Sequence, residues 1–212
     1  PMMRTLLYKQ LRLVCHPMTP VFCMFGVMLM IPNYPLTVVW FYVMLGLFFT
    51  FLNMREQKDI YYSAILPIRK RDTVKATCLF TALIELASLV IAVPFAVWRA
   101  HTSIGSNLVG VDANVTLFGF ALMLYALFNA ILLCSFYKTA YQVGTAFLKA
   151  IIPTSLLMLV MEISVHIPAL AWLDGYDTAR QLPVLAVGAV IYAASWPLTF
   201  RRAAALYEKV DL

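Results

Sequence analysis

Six long runs of apolar residues, separated by short polar segments, dominate the chain. They lie at about residues 18–31, 36–53, 76–98, 115–136, 144–165 and 182–200. A helix that crosses a membrane needs about 20 mostly apolar residues, and the runs meet or approach that length. The first run is the shortest, because Pro32 and Pro35 follow it closely. Since the runs are continuous rather than alternating, they indicate helices and not a membrane β-barrel. The pattern predicts an all-α, polytopic membrane protein with six transmembrane helices.

Residues 2–15 form an amphipathic pattern ahead of the first run. At helical spacing one face is apolar and the other faces are basic or polar; the apolar set is Met3, Leu6, Leu7, Leu11 and Val14. We expect this helix to lie in the membrane interface with its cations at the lipid headgroups. Two roles remain open, an anchor that fixes the entry to the first span and an elbow that moves with a partner.

Composition agrees with a chain that is almost entirely membrane-embedded. Hydrophobic residues make up 63% of the 212 residues and charged residues only 12%, whereas soluble domains are about 25% charged. A soluble globular domain, a disordered chain and a disulfide scaffold are therefore excluded. The whole chain, residues 1–212, is predicted to be a single transmembrane domain, and its four scattered cysteines are interpreted as small apolar residues.

The distribution of basic residues predicts the orientation. If the N-terminus is cytoplasmic, all but two of the 16 Lys and Arg residues lie on the cytoplasmic side or at its edge. Only Arg99 and Arg180 lie outside. The positive-inside rule favours this arrangement, which makes residues 201–212 a cytoplasmic tail. The net charge of +6 is explained by topology and by contact with membrane lipid, so no nucleic-acid partner is expected.

The segment at residues 55–75, REQKDIYYSAILPIRKRDTVK, is too long to be a simple connection between spans. Its centre is apolar and aromatic, and Pro67 should end any helix that begins near Ile60. Asp72 is expected to cap or neutralise the start of the next helix. A docking element for a soluble partner and a solvated basic loop both fit the composition.

Three local motifs carry a family resemblance. They are Leu66-Pro67-Ile68-Arg69-Lys70-Arg71-Asp72-Thr73-Val74-Lys75, Phe136-Tyr137-Lys138-Thr139-Ala140-Tyr141-Gln142-Val143-Gly144, and the ending Leu206-Tyr207-Glu208-Lys209-Val210-Asp211-Leu212. With the amphipathic start and the six spans, their order and spacing resemble the small six-span permease subunits of type-2 ABC exporters over the whole chain.

The resemblance implies a permease of the bacterial cytoplasmic membrane that pairs with a second permease copy and two separate ABC-type ATPase subunits. Residues 55–75 then contain the coupling helix, with the expected contacts Glu56, Lys58, Asp59, Tyr61, Tyr62, Arg69 and Arg71. The chain has no G-x-x-x-x-G-K-[ST] loop. We therefore expect it to be no enzyme by itself and to bind no cofactor, with ATP and Mg on the partner. The implied cargo classes are amphipathic or antimicrobial peptides, lipids and drugs.

Glu85 and Glu162 are the carboxylates placed well inside predicted spans, where a charge is costly. One interpretation is that they line the conduit together with Asn129 and meet a cationic cargo. The other is a structural hydrogen bond to a neighbouring span, for which Asn129 is the partner at the depth of Glu85. Glu162 and His166 share a helix face, but two ligands do not make a metal site, and none is expected.

The outer segment at residues 168–173 is expected to form a short helix at the interface. Trp172 is then either part of a lid over the exit or an interfacial anchor. Two other functions share this topology: a proton-coupled carrier that uses Glu85, and a non-transporting membrane partner such as an immunity or sensor subunit. A membrane enzyme is disfavoured, because no H-E-x-x-H or G-x-S-x-G motif is present.

Overall fold

Helices account for nearly all of the regular structure, as the apolar runs predict. The computed structural model describes residues 2–102 and 104–211. The α-helices are α1 (Met2–Lys9), α2 (Met18–Cys23), α3 (Val38–Glu56), α4 (Asp59–Ile65), α5 (Lys70–His101), α6 (Val115–Tyr137), α7 (Val143–Ser164) and α8 (Thr178–Glu208). A π-helical turn follows α1 (Gln10–Val14), and 3₁₀ helices cover Met24–Met30 and Pro168–Leu173.

Five of these helices, α3 and α5 to α8, are long and apolar enough to cross a membrane. The helical segments Met2–Val14 and Met18–Met30 are bent by 92° relative to each other. If this bent pair is one span, the total is six. The prediction of an all-α polytopic membrane protein is confirmed. The helices α5 and α8 extend beyond the predicted spans, so that much of the expected tail at 201–212 is the last part of α8.

The short first span is half α-helix and half 3₁₀ helix. At about 1.5 Å and 2.0 Å of rise per residue, Met18–Met30 reaches only about 23 Å. Gly26 allows this segment to lie directly on α5, since a Cβ at that position would be 2.9 Å from the Ala92 Cα. The close approach of the two backbones fixes the first span against the bundle.

The amphipathic start is helical, and only part of its predicted apolar face is buried against the rest of the protein. Leu6, Gln10 and Val14 are buried, whereas Leu11 is 41% exposed. The reason is the π-helical turn, marked by the bond from the Cys15 N–H to the Gln10 carbonyl at 2.8 Å. This wider turn shifts the positions after Lys9 around the helix axis, which a regular 3.6-residue period does not anticipate.

Helix α6 is the centre of the bundle, and α8 packs along it. Gly119 and Gly188 face each other at this crossing, where a Cβ on Gly188 would overlap the Gly119 carbonyl. Most of α8 away from this contact is exposed, including Val187, Val190 and Leu198. The two ends of the bundle differ: we call the end with α1, α4 and the last turns of α8 the basic end, and the opposite end the far end.

Candidate functional site

Helix α4 presents an apolar surface at the basic end of the bundle. Its start is set by Lys58, which adopts the left-handed conformation (φ 53°) and separates α4 from α3. Tyr61 and Tyr62 are 51% and 65% exposed, and Ile65 is 81% exposed. Leu66 continues this surface. Exposed aromatic and aliphatic groups outside the spans are unusual on a surface that meets only water.

The opposite face of α4 is fixed to α1 by a partly buried polar cluster. Lys9 Nζ lies 2.9 Å from Asp59 Oδ1 and donates to Ser63 Oγ at 2.8 Å. Asp59 is only 9% exposed, so its carboxylate points at α1 rather than outward. Of the seven residues expected to contact an ATPase, Asp59 is thus held internally. The other six are exposed: Glu56, Lys58, Tyr61, Tyr62, Arg69 and Arg71.

Charged residues surround the start of α5, next to α4. Arg69 Nε donates to Asp72 Oδ2 at 2.8 Å, and the Asp72 hydrogen bond and charge raise the pKa of the Arg69 guanidinium. Of the two roles expected for Asp72, the structure supports the second: its carboxylate lies in the first turn of α5, where it pairs with Arg69, and the N-cap position has no side-chain cap. Arg71 lies 3.8 Å from Glu208, which links the start of α5 to the end of α8.

Glu85 is fully buried in the bundle and is hydrogen-bonded to neutral partners. Its Oε2 accepts from Asn129 Nδ2 at 2.9 Å and from the Tyr192 hydroxyl at 2.7 Å. Ser88 and Tyr125 hydroxyls meet at 3.0 Å one turn further along α5. Among the described residues no cation pairs with Glu85. The structure thus brings Glu85 and Asn129 together, joined by Tyr192 of α8.

Glu162 lies apart from Glu85, at the far end, and holds two loops. Its Oε1 accepts from the Thr37 backbone N–H at 2.9 Å and from the Thr37 hydroxyl at 2.6 Å. Its Oε2 accepts from the Val111 N–H at 2.9 Å. Gly110 beside it leaves no room for a Cβ, which would overlap this carboxylate. Three hydrogen bonds and burial assign Glu162 a loop-fixing role in this conformation.

A buried ion pair supports the same end. The Arg99 and Asp112 side chains are almost fully buried, and Arg99 Nη2 lies 3.2 Å from Asp112 Oδ1. Arg99 Nη1 also donates to the carbonyls of Leu29 and Ile31 at 2.7 and 2.8 Å. These carbonyls end the 3₁₀ part of the first span, so Arg99 satisfies groups that the helix leaves unpaired.

The segment between α7 and α8 covers part of this network. It forms the expected short helix, Pro168–Leu173, and the Arg180 guanidinium lies 5.5 Å from the centre of the Trp172 ring. Asp174 Oδ1 accepts from the Asp112 N–H at 2.8 Å. Burial raises the pKa of Asp174, although this hydrogen bond opposes the shift. His166 contacts the Val109 carbonyl at 3.0 Å.

Several residues that organise these sites give no signal in the sequence. Tyr192, Thr37 and Gln181 resemble ordinary polar residues of helices and loops, and their partners lie far along the chain. Charge assigns Arg99 to the outside, but its pairing with Asp112, which buries both side chains, depends on the fold. Within residues 2–102 and 104–211, no group of three His, Cys, Asp or Glu side chains is placed to hold a metal ion.

Comparison with known proteins adds one finding. The family model described as "ABC-2 family transporter protein" matches residues 5–202. Neither the comparison with curated proteins nor that with solved structures gives a significant match. The match covers nearly the whole chain. It includes α4, the Glu85 cluster (Glu85, Asn129 and Tyr192) and the far-end network (the contacts of Glu162, Arg99 and Asp112). The chain therefore belongs to the ABC-2 family of transporter proteins, as a multi-pass permease of the ABC exporter type.

Proposed function

We propose that this ABC-2 permease works as a pair with a second permease subunit, and that two separate ATPase subunits drive it from the basic end. Membership of the family supports coupling to an ABC ATPase in general. The observation that carries the specific proposal is the exposed apolar surface of α4, formed by Tyr61, Tyr62, Ile65 and Leu66. Aromatic anchors of this kind dominate the energetics of protein interfaces.

The contacts of α4 support the proposal that motion of an ATPase reaches the spans through this helix. The helix lies between α3 and α5 in the chain, and the Lys9–Asp59 pair ties it to α1. A force on Tyr62 is therefore passed to three elements rather than absorbed by a loose loop. The rim charges Arg69 and Arg71 would set the register of the partner, because exposed charges guide association more than they add affinity.

The chemistry of ATP belongs to the partner in this proposal. The chain itself binds no cofactor and is not an enzyme; ATP and Mg are held by the ATPase subunits. The basic end then faces the cytoplasm of a bacterial cell, with both termini on that side of the plasma membrane, in agreement with the positive-inside rule. The proposed cargo, an amphipathic or antimicrobial peptide, a lipid or a drug, rests on the family alone.

Co-purification with the cognate ATPase tests the proposal. The tagged chain in lipid nanodiscs should yield a complex of two permeases and two ATPases with vanadate-sensitive ATP hydrolysis. The double variant Tyr62→Ala/Arg69→Ala should weaken ATPase binding at least about tenfold, since an interface anchor contributes about 2 kcal/mol or more. The variant should still insert and remain monodisperse, because both side chains are exposed.

Tyr141→Ala is the matched control, because Tyr141 is 54% exposed at the same end but lies outside α4. It should leave ATPase binding unchanged. Equal loss with Tyr141→Ala, or full binding by the double variant, would contradict the assignment of α4. A chain that forms no complex with the ATPase and moves cargo with a proton gradient would instead be a carrier.

A further inference from the structure

An open groove runs along α6, on the side of the bundle where α7 and α8 flank this helix. Its volume is about 390 Å³, and all of its lining residues belong to these three helices. The lining is apolar apart from one serine hydroxyl. It is formed mainly by Met123 and Leu127 of α6, Leu157 and Met161 of α7, and Ile191 and Ser195 of α8. Because all three helices are long enough to span a membrane, the groove faces the bilayer.

The open side of α6 continues from this groove to the basic end. Ile131 and Cys134 are partly exposed, and Lys138, which follows the last residue of α6, is exposed. From Leu127 to Lys138 the helix rises about 16 Å. This is close to the thickness of one leaflet, since the whole bilayer core measures about 30 Å. The groove can therefore hold an acyl chain of the leaflet at the basic end.

Three exposed cations, one from each helix, border the basic end of the groove. Arg202 of α8 is close to its floor, since the positive charge of Arg202 acts on the Cys134 thiol. Lys138 ends the open side of α6. Lys149 of α7 lies two i+4 steps before Leu157 on the row that leads into the groove. Apolar walls thus end in a cluster of positive charge.

The chain supplies no anion to this cluster. Within residues 2–102 and 104–211, the ion pairs involve other cations. Helix α6 has no acidic residue, and Glu162, the single acidic residue of α7, is held at the far end by Thr37 and Val111. Cations at the edge of a membrane need a partner or a route to the headgroups. The counter-ion must therefore come from the surroundings.

The depth of the cluster favours lipid over a soluble subunit as the source of this anion. Lys149 is about 9 Å from the start of α7, and Arg202 is beside Cys134, about one turn inside the end of α6. Long basic side chains at such positions extend along the helix to the headgroups. Basic pockets between spans on the cytoplasmic side are suited to anionic headgroups, and the apolar groove above the cluster is suited to an acyl chain.

We propose that this groove binds one anionic phospholipid of the leaflet at the basic end, with an acyl chain along α6 and its phosphate between Lys138, Lys149 and Arg202. The site lies on the outside of a single chain. It is a site for a resident lipid, and it does not depend on pairing, on the ATPase or on the identity of the cargo. Binding alone tests it.

The probe is dioleoylphosphatidylglycerol with a photoreactive diazirine near the end of one acyl chain, added to the full chain in phosphatidylcholine nanodiscs. We expect saturable labelling of α6 near Leu127 and of the facing parts of α7 and α8. Unlabelled phosphatidylglycerol should compete at least about tenfold better than phosphatidylethanolamine with the same chains, which keeps the phosphate but has no net charge. Equal competition by the two lipids would show general contact with lipid and overturn the site.

Two neighbouring arginines test the position of the headgroup. Arg202→Gln should weaken competition by phosphatidylglycerol about fivefold, the change expected for one cation near an anionic lipid. Arg201→Gln is the matched control, because Arg201 is exposed on the same helix but points about 100° away from Arg202. It should leave competition unchanged. Equal weakening in both variants, or in neither, would overturn the assignment of the cation cluster.

A third variant tests the position of the acyl chain. Leu127→Trp fills the groove from its floor and should reduce specific labelling at least about tenfold, because the chain would have to overpack against the new ring. Unchanged labelling would exclude the groove as the chain site. The two arginine variants change only exposed side chains, so they keep the test valid if Leu127→Trp fails to fold.

Discussion

At the scale of single residues, the two carboxyl groups in the spans have different surroundings. Glu162 accepts three hydrogen bonds from two loops, whereas Glu85 accepts two from neighbouring helices and leaves Oε1 without a partner in the described part of the chain. The partners of Glu85 are neutral donors. A charge at that depth would be expensive, so the hydrogen bonds of Glu85 need its oxygen as an acceptor and not its charge.

This difference predicts the outcome of two substitutions at Glu85. Glu85→Gln keeps an acceptor for Asn129 and Tyr192, so the free energy of unfolding should change little. Glu85→Leu leaves both donors buried without a partner, at about 1–3 kcal/mol each. Thermal unfolding in detergent, followed by tryptophan fluorescence, measures the difference. A glutamine variant as unstable as the leucine variant would contradict the assignment of Glu85 as an acceptor that its neighbours need without its charge.

At the scale of helices, the contact between α6 and α8 depends on two glycines. The Gly119 and Gly188 backbones meet so closely that a Cβ on either would clash with the other helix. Small residues at such crossings are the usual means of packing spans, because apolar side chains gain little from leaving lipid. The largely exposed α8 is therefore held to the bundle mainly along one narrow line.

We expect Gly188→Ala to destabilise the folded chain by about 1–3 kcal/mol, the usual cost of overpacking, since backbone atoms and not a flexible side chain must move. Gly144→Ala is the control: nothing lies within 4 Å of its position, and alanine favours a helix. Fluorescence-detected size-exclusion chromatography after heating compares the two. Equal melting of Gly188→Ala and the unmodified chain would mean that α8 can move away from α6 without loss.

The sequence predicts well the helices that end at polar or turn-forming residues. It misplaces the ends of helices that continue into charged residues. For α6 and α7 the predicted spans differ from the observed helices by at most one residue at each end, because polar and turn-forming residues follow the apolar runs. The extension of α5 to Lys70 and of α8 to Glu208 passes through charged residues, where hydropathy ends but the helix does not. The partners of Glu85 and Glu162 belong to helix packing and loop closure, which residue patterns do not contain.

At the scale of the whole molecule, the two ends of the bundle are built differently. The basic end exposes α4 and its surrounding cations, whereas the far end buries the polar groups of three loops around Arg99, Asp112 and Glu162. Non-helical backbone is tolerated at membrane depth only where protein surrounds it. The far-end network meets that requirement, and so allows Met18–Met30, about 23 Å long, to end short of the edge of a bilayer core of about 30 Å.

This architecture predicts that Met18–Met30 crosses the membrane, which gives six spans and places both termini on one side. In a background free of the four native cysteines, Tyr8→Cys and Glu208→Cys should react with an impermeant maleimide from the same side. Ser106→Cys, in the exposed loop before α6, should react from the opposite side. Because Arg99 and Asp112 seal the end of the short span as a neutral pair, a reagent should not reach Tyr8→Cys from the side of Ser106→Cys. Reaction of Tyr8→Cys and Glu208→Cys from opposite sides would mean five spans, with Met18–Met30 entering the membrane and returning; the far-end network would then support a re-entrant loop.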